Sequence, residues 1–318
     1  NPVLAAYPFG DEVVRYQFEG AATATSTNNG TGGTTYDGTF FGAASTTAVQ
    51  KRFGSKGAVF GETADYMKTY YGNGINPTTQ SISVSLWAYK GNNNCTSDDD
   101  HIFGVSGSPT NNRFYIRCKN STTNKWGYRI QGNAEVFSTA SVSTTTWDHI
   151  VLVANAATDQ ASYYVNGVAI GAPVAYTTFT LPGNFYVGNY NDTVGSDLTQ
   201  GGGVYIDEVA IYDRALTALE VTDMYQSGQP GGQVSSFSAT GYEQKAYLAW
   251  TAGSGTTTDY LVEYKLSSEP TTWTTFSHSV STSTNIQVTG LTNGSAYDFR
   301  ITPKNGEVLG TVSATVSA

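Results

Sequence analysis

Residues 204–212, Val-Tyr-Ile-Asp-Glu-Val-Ala-Ile-Tyr, read as a β-strand with Val204, Ile206, Ala210 and Tyr212 on one side and Tyr205, Val209 and Ile211 on the other. Apolar residues on both sides predict a strand lying between two layers. Two adjacent carboxylates, Asp207 and Glu208, interrupt it, and period-two alternation sends them to opposite faces. An ionised carboxylate under cover is costly unless a cation, backbone N–H groups or a metal satisfies it. Thr217-Ala218-Leu219-Glu220 then has the spacing of a capping box, which predicts a short helix from about Thr217 to Gln226, stopped by Gly228.

Upstream, residues 81–89 (SISVSLWAY) alternate cleanly, with Ile82, Val84, Leu86 and Ala88 on one face and Trp87 and Tyr89 on the other. That pattern predicts a central strand. Residues 147–153 and 162–168 read as a strand and a hairpin around the Asn166-Gly167 turn. The stretch 229–233, Gln-Pro-Gly-Gly-Gln, reads as a linker, beyond which the pattern changes character.

Composition narrows the class. In 318 residues only 13% are charged, and Thr, Ser, Gly, Asn and Tyr are abundant, which favours a β-rich extracellular protein. A formal charge of -9 argues against nucleic acid as a partner, since phosphate binding rests on Lys and Arg. No apolar run approaches the length of a membrane span. Asn1 in place of an initiator Met points to a processed chain or a fragment. Cys95 and Cys118 lie near the ends of neighbouring predicted strands, where either a disulfide or two half-buried thiols would fit.

The run I-D-E-V-x-I-Y-x-R-A-L-T-x-x-E-V over 206–221 resembles the C-terminal signature of laminin-G-like, concanavalin A-like jelly-roll domains. Residues 13–20 (VVRYQFEG), the Asn/Gly loop at 27–31, the Arg52–Phe60 step, Trp147–Val153 and the hairpin at 162–168 fit the same family in the expected order, although Gly61-Glu62 stands where the family has Asp-Gly. The resemblance implies an all-β jelly-roll sandwich over residues 1–228. Lys245–Trp250, Tyr260–Tyr264 and Thr289–Ile301 are similar to a fibronectin type III domain over 234–318. In that fold Trp250 and Tyr260 fill the core, and Tyr297 is placed as the tyrosine corner.

Catalytic patterns are missing: no E-x-D-x-x-E strand, no G-x-S-x-G, no H-E-x-x-H and no phosphate loop occur, and no enzyme is expected. The resemblance implies that calcium could pin the N-terminal loop to the last strand, held by Asp207, the carbonyls near Glu19 and Gly20, and Asn28. The alternative is Asp207 bonded to backbone N–H groups, Arg15 or Arg214. The run Asp98–Asp100 is either a second cation site or a solvated acidic loop. Candidates for sugar contact are Trp126 and Tyr128, whose alternative role is packing within the sheet, and the loop residues Tyr190, Asn191, Asp192 and Asp197. The expectation is a non-catalytic recognition or adhesion protein at a cell or virion surface, binding glycan, with the fibronectin domain as spacer and oligomerisation left open. The alternatives are a structural component that docks on a partner protein, or ancillary domains of a secreted glycosidase.

Overall fold

A computed structural model describes residues 10–21, 25–61, 64–70, 79–91, 95, 100–105, 114–119, 124–131, 133–177, 183–189, 203–228, 231–305 and 308–318. It divides into two compact units between Tyr225 and Gln226. All of its strand pairs are antiparallel among the described residues.

The strands of the first unit are, in chain order, β1 (Val14–Tyr16), β2 (Thr25–Ser26), β3 (Gly38–Phe41), β4 (Ser45–Thr47), β5 (Gly57–Phe60), β6 (Tyr66–Tyr70), β7 (Ile82–Tyr89), β8 (Asp100–Val105), β9 (Phe114–Lys119), β10 (Lys125–Ile130), β11 (Val136–Phe137), β12 (Asp148–Asn155), β13 (Gln160–Val165), β14 (Val168–Ala169), β15 (Val174–Ala175), β16 (Asn184–Val187) and β17 (Val204–Tyr212). They form a nine-stranded sheet in the order β14-β13-β12-β7-β17-β5-β4, with β1 on β17 and β15 on β13, and an eight-stranded sheet in the order β11-β10-β9-β8-β16-β6-β3-β2. One core fills the space between them. It takes Ile82, Val84, Leu86 and Ala88 from β7, as their alternation predicts, and Ile150 and Leu152 from β12. The second sheet supplies Phe40, Met67, Phe103, Ile116, Trp126, Tyr128 and Phe185. Cys95 and Cys118 form a disulfide, with Cα atoms 5.5 Å apart.

The helix α1 runs Ala218–Gly228 behind the expected capping box. Glu220 accepts a bond from the Thr217 N–H (2.7 Å), and the Glu220 N–H donates to the Thr217 hydroxyl (3.2 Å). It is far too short to cross a membrane, and so is any other helix among the described residues.

The second unit pairs a three-stranded sheet (Ser235–Tyr242, Lys245–Thr251, Asn285–Thr289) with a five-stranded one built on Asp259–Leu266 and Tyr297–Asn305. Trp250 and Tyr260 meet edge to face in its core at 4.9 Å. The Tyr297 hydroxyl accepts a bond from the Thr292 N–H at 3.1 Å, which makes it the predicted tyrosine corner.

Candidate functional site

The strand β17 departs from simple alternation, and the departure decides the fate of its two acids. Its pairing with β7 shifts between Asp207 and Ala210, and Glu208 adopts φ 48°, so one extra residue is accommodated as a β-bulge. Past the bulge the facing residues swap: Val204, Ile206, Val209 and Ile211 enter the core, whereas alternation alone grouped Val204 and Ile206 with Ala210 and Tyr212. Asp207 and Glu208 consequently share the outward side instead of taking opposite faces.

Both are sealed there. Asp207 is fully buried, and its Oδ2 accepts from the Arg52 and Phe53 N–H groups (2.8 and 3.1 Å) and its Oδ1 from the Glu208 N–H (2.9 Å). Glu208 accepts from Arg15 Nε and Gln17 Nε2, each at 3.2 Å. Burial, and then the Glu208 charge, push the Asp207 carboxyl well above its ordinary range, against those three N–H bonds. Burial likewise raises Glu208, with Arg15 opposing.

Around the acids the outer face of this sheet carries a second packed layer. The Arg52 guanidinium lies 4.2 Å from the Trp87 ring centroid, and Tyr225 of α1 stacks on Trp87 (5.9 Å) and His149 (6.2 Å). Ser85 Oγ and His149 Nε2 are 2.9 Å apart, but both residues are fully buried. Burial, followed by the Arg52 charge, lowers the His149 pKa to about 3, so the ring is neutral and packed, as expected of a strand histidine.

The residues expected to hold calcium do not fit it. The Gly20 carbonyl accepts from Thr46 Oγ1 (3.3 Å) and from the Lys56 ammonium (2.6 Å), so a lysine occupies the place of a cation. The Glu19 carboxylate accepts from Ser55 N (2.8 Å) and Ser55 Oγ (2.6 Å); Gly54, at φ 60°, permits this approach because a Cβ there would collide with that carboxylate. Asn28 Oδ1 accepts from Arg15 N and Gly30 N, and its Nδ2 donates to the Val13 and Gly33 carbonyls. With three backbone N–H groups already bonded to the Asp207 oxygens, the carboxylate has little left to offer an ion. No cluster of three or more His, Cys, Asp or Glu gathers for a metal among the described residues. Of the run Asp98–Asp100, Asp100 is buried and paired with Lys90 at 3.1 Å; the other two lie outside the described residues.

The outer face of the eight-stranded sheet is built differently. Trp126 and Tyr128 are not on it: both are in the core, with Trp126 Nε1 donating to Asp148 Oδ2 (2.7 Å) and Tyr128 packed 4.8 Å from Tyr163. They are corrected from sugar contacts to packing residues, because a ring closed off from solvent offers no stacking surface. Tyr190, Asn191, Asp192 and Asp197 lie outside the described residues.

The residues that do face outward here alternate with the core set. Phe41 and Tyr66 stack at 4.7 Å with their planes 11° apart, and Tyr66 meets Tyr186 edge to face at 5.8 Å. Phe41 is 39% and Tyr70, on the same face of β6, 53% exposed. The register carries the same side of the sheet across Tyr186, Gly104, Tyr115 and Arg129 on β16, β8, β9 and β10, where the first three are buried and Arg129 is half-buried. Beside that row stand Arg117, Lys119, Lys125 and Gly127. Sequence reading missed this set, yet a signal was present: Lys125 and Arg129 share the phase opposite Trp126, Tyr128 and Ile130, and charge of that phase marks the solvent side.

Comparison with known proteins agrees with this architecture. The concanavalin A-like lectin/glucanases superfamily matches residues 61–222, half of the chain. The chain belongs to that superfamily. The fibronectin type III domain matches residues 232–318. No curated protein matches the chain. Among solved structures, the binding domain of Paraclostridial Mosquitocidal Protein 1 aligns over 92% of this chain and 77% of its own, at TM-score 0.52 and 11% identity. The botulinum neurotoxin serotype D binding domain aligns over 93% and 71%, at 0.51 and 12%. For the Trypanosoma rangeli sialidase with 2,3-difluorosialic acid the values are 69% and 33%, at 0.50 and 14%, so the concanavalin A-like chain corresponds to a third of that enzyme. At such identities the likeness is one of fold.

Proposed function

We propose that the chain is a non-catalytic recognition protein that binds glycan on the outer face of the eight-stranded sheet, with the fibronectin domain as spacer. The observation that carries this reading is the outward Phe41–Tyr66 stack, with Phe41 and Tyr70 exposed on the same side, since flat rings on a sheet offer the apolar face of a pyranose a platform. The acids, serine and histidine that chemistry would need are packed away on the other sheet. The disulfide and the low charge suit an extracellular, cell-surface or virion setting. A related botulinum neurotoxin serotype D domain has been solved with N-acetylneuraminic acid, at 10% identity. That is a kinship of fold, and the case for sugar here stands on the rings.

A glycan array probed with the wild type and with Phe41→Ala and Tyr66→Ala tests the proposal. The wild type should bind at least one glycan class, and each variant should lose most of that signal while keeping its melting temperature. Either an array with no binding or variants that bind unchanged would refute it.

A further inference from the structure

We propose that the strip formed by Lys119, Lys125 and Arg129 on β9 and β10 is an anion-recognising subsite for a carboxylated or sulfated sugar. It deepens the glycan reading above and rests on it. The first ground is charge. The chain has 16 basic and 25 acidic residues, yet residues 114–137 hold Arg117, Lys119, Lys125 and Arg129 against Glu135 alone. An acidic protein has gathered a net positive strip on one face.

The second ground is register. Lys119 and Lys125 are direct cross-strand partners, and both alternate with core residues, so two basic side chains leave neighbouring positions on the outward face. Like charges at such a pair cost a few tenths to about 1 kcal/mol. Glu135 offsets only part of the cost, because its single charge is shared between Arg117 and Lys119. It accepts from Tyr115 OH (3.1 Å), pairs with Arg117, and reaches Lys119 only at 3.5 Å. The Lys125 ammonium makes no hydrogen bond or ion pair among the described residues. A bound anion between the two lysines would turn that repulsion into attraction.

The third ground is shape. Gly127 stands between these cations on β10, and a Cβ there would strike the Phe137 ring at 2.6 Å, so the glycine lets that ring lie down against the strand. Lys119 Nζ is 5.6 Å from the same ring. Arg129 Nε is fixed by the Asn133 carbonyl at 3.2 Å. A half-buried aromatic beside three cations fits an acidic pyranose, with the ring taking an apolar face and the lysines the carboxylate or sulfate.

Calorimetric titration of the full chain with tetragalacturonate, sialyllactose, a heparin tetrasaccharide, lactose and a short DNA strand tests this, at low and high salt. At least one acidic sugar should bind, weaken with salt, and lose about tenfold or more in affinity in Lys119→Gln/Lys125→Gln. The carboxylated and sulfated arms distinguish the two sources of the anion. Binding to the Phe41–Tyr66 platform should persist in that variant, and its melting temperature should hold or rise, because a repulsion has been removed. Three outcomes overturn the subsite: acidic sugars binding no better than lactose, the double variant binding them unchanged, or DNA binding as tightly. If the array still registers a neutral glycan that depends on Phe41, the glycan reading survives and only the subsite falls.

Discussion

The two sheets of the jelly roll present two outward faces, and their contents invert what residue type alone suggests. The nine-stranded sheet carries a pair of acids, a serine and a histidine in contact, the usual material of catalysis. All of it is closed under Arg52, Phe53 and α1. The eight-stranded sheet carries rings and cations of ordinary surface kind, of which Phe41 and Tyr70 are exposed and Lys119, Lys125 and Arg129 half-buried. Accessibility separates them. Titratable groups that fold a sheet under its covering layer are architectural, and the face left uncovered is the one that can meet a partner.

The sharpest way to break this contrast is to remove the acid that fastens the cover. Asp207→Ala strips three backbone N–H groups of a buried acceptor, two of them in the loop that holds Arg52 and Phe53. At 1–3 kcal/mol for each unsatisfied group, with partial relaxation, the expected loss is about 3–5 kcal/mol in urea denaturation. A loss under about 1 kcal/mol would mean that the covering layer does not depend on this carboxylate.

Next in size is the pH response of the closed face. The native form of His149 is neutral, with its pKa lowered from 6.5 to about 3, so its contribution to stability is complete above 6.5 and fades as pH falls toward 3. The slope it adds is at most about 1.4 kcal/mol per pH unit. Asp207 and Glu208 act in the other direction, because their raised values favour the fold below the unfolded carboxylate range and lose that benefit as pH rises through the folded ones. In His149→Gln the acid-side decline should flatten. Parallel pH profiles for variant and wild type would show that His149 is not the group being protonated.

The open face should answer weakly to the same assay. Phe41→Ala removes a ring that is 39% exposed, and the expected destabilisation is below about 1 kcal/mol. A loss of 3 kcal/mol or so, the size seen for core aromatics, would reassign Phe41 to the scaffold.

How far the sequence displayed all this depends on whether the deciding interaction was local. The β7 alternation, the capping box at Thr217 and the tyrosine corner are each written within about ten residues, and all three appear as read. The bulge was illegible because Glu208 takes a positive φ that Gly or Asn would have announced, and no short-range pattern marks a glutamate there. Trp126 and Tyr128 were ambiguous for a different reason. Strand β10 carries large side chains in both phases, and the core side was settled by Ile116 and Cys118 across the register with β9. The outward ring pair joins β3 to β6, twenty-five residues further on, so only tertiary pairing reveals it.

The smallest effect expected is that of calcium, and it bears on how the N-terminal loop is held. An ion binding the native state at a hundredfold excess over its dissociation constant would add about 2.7 kcal/mol. For a domain of this size that amounts to several degrees. Here the Gly20 carbonyl already faces the Lys56 ammonium, and the Asp207 oxygens face three N–H groups. To bind, the ion would have to displace a like-charged side chain and undo those bonds, which offsets most of what it could gain. Adding calcium or EDTA should therefore leave the melting temperature within about 1 °C. A rise of several degrees that EDTA reverses would show that Lys56 yields its place, and the loop would then be an ion-dependent latch.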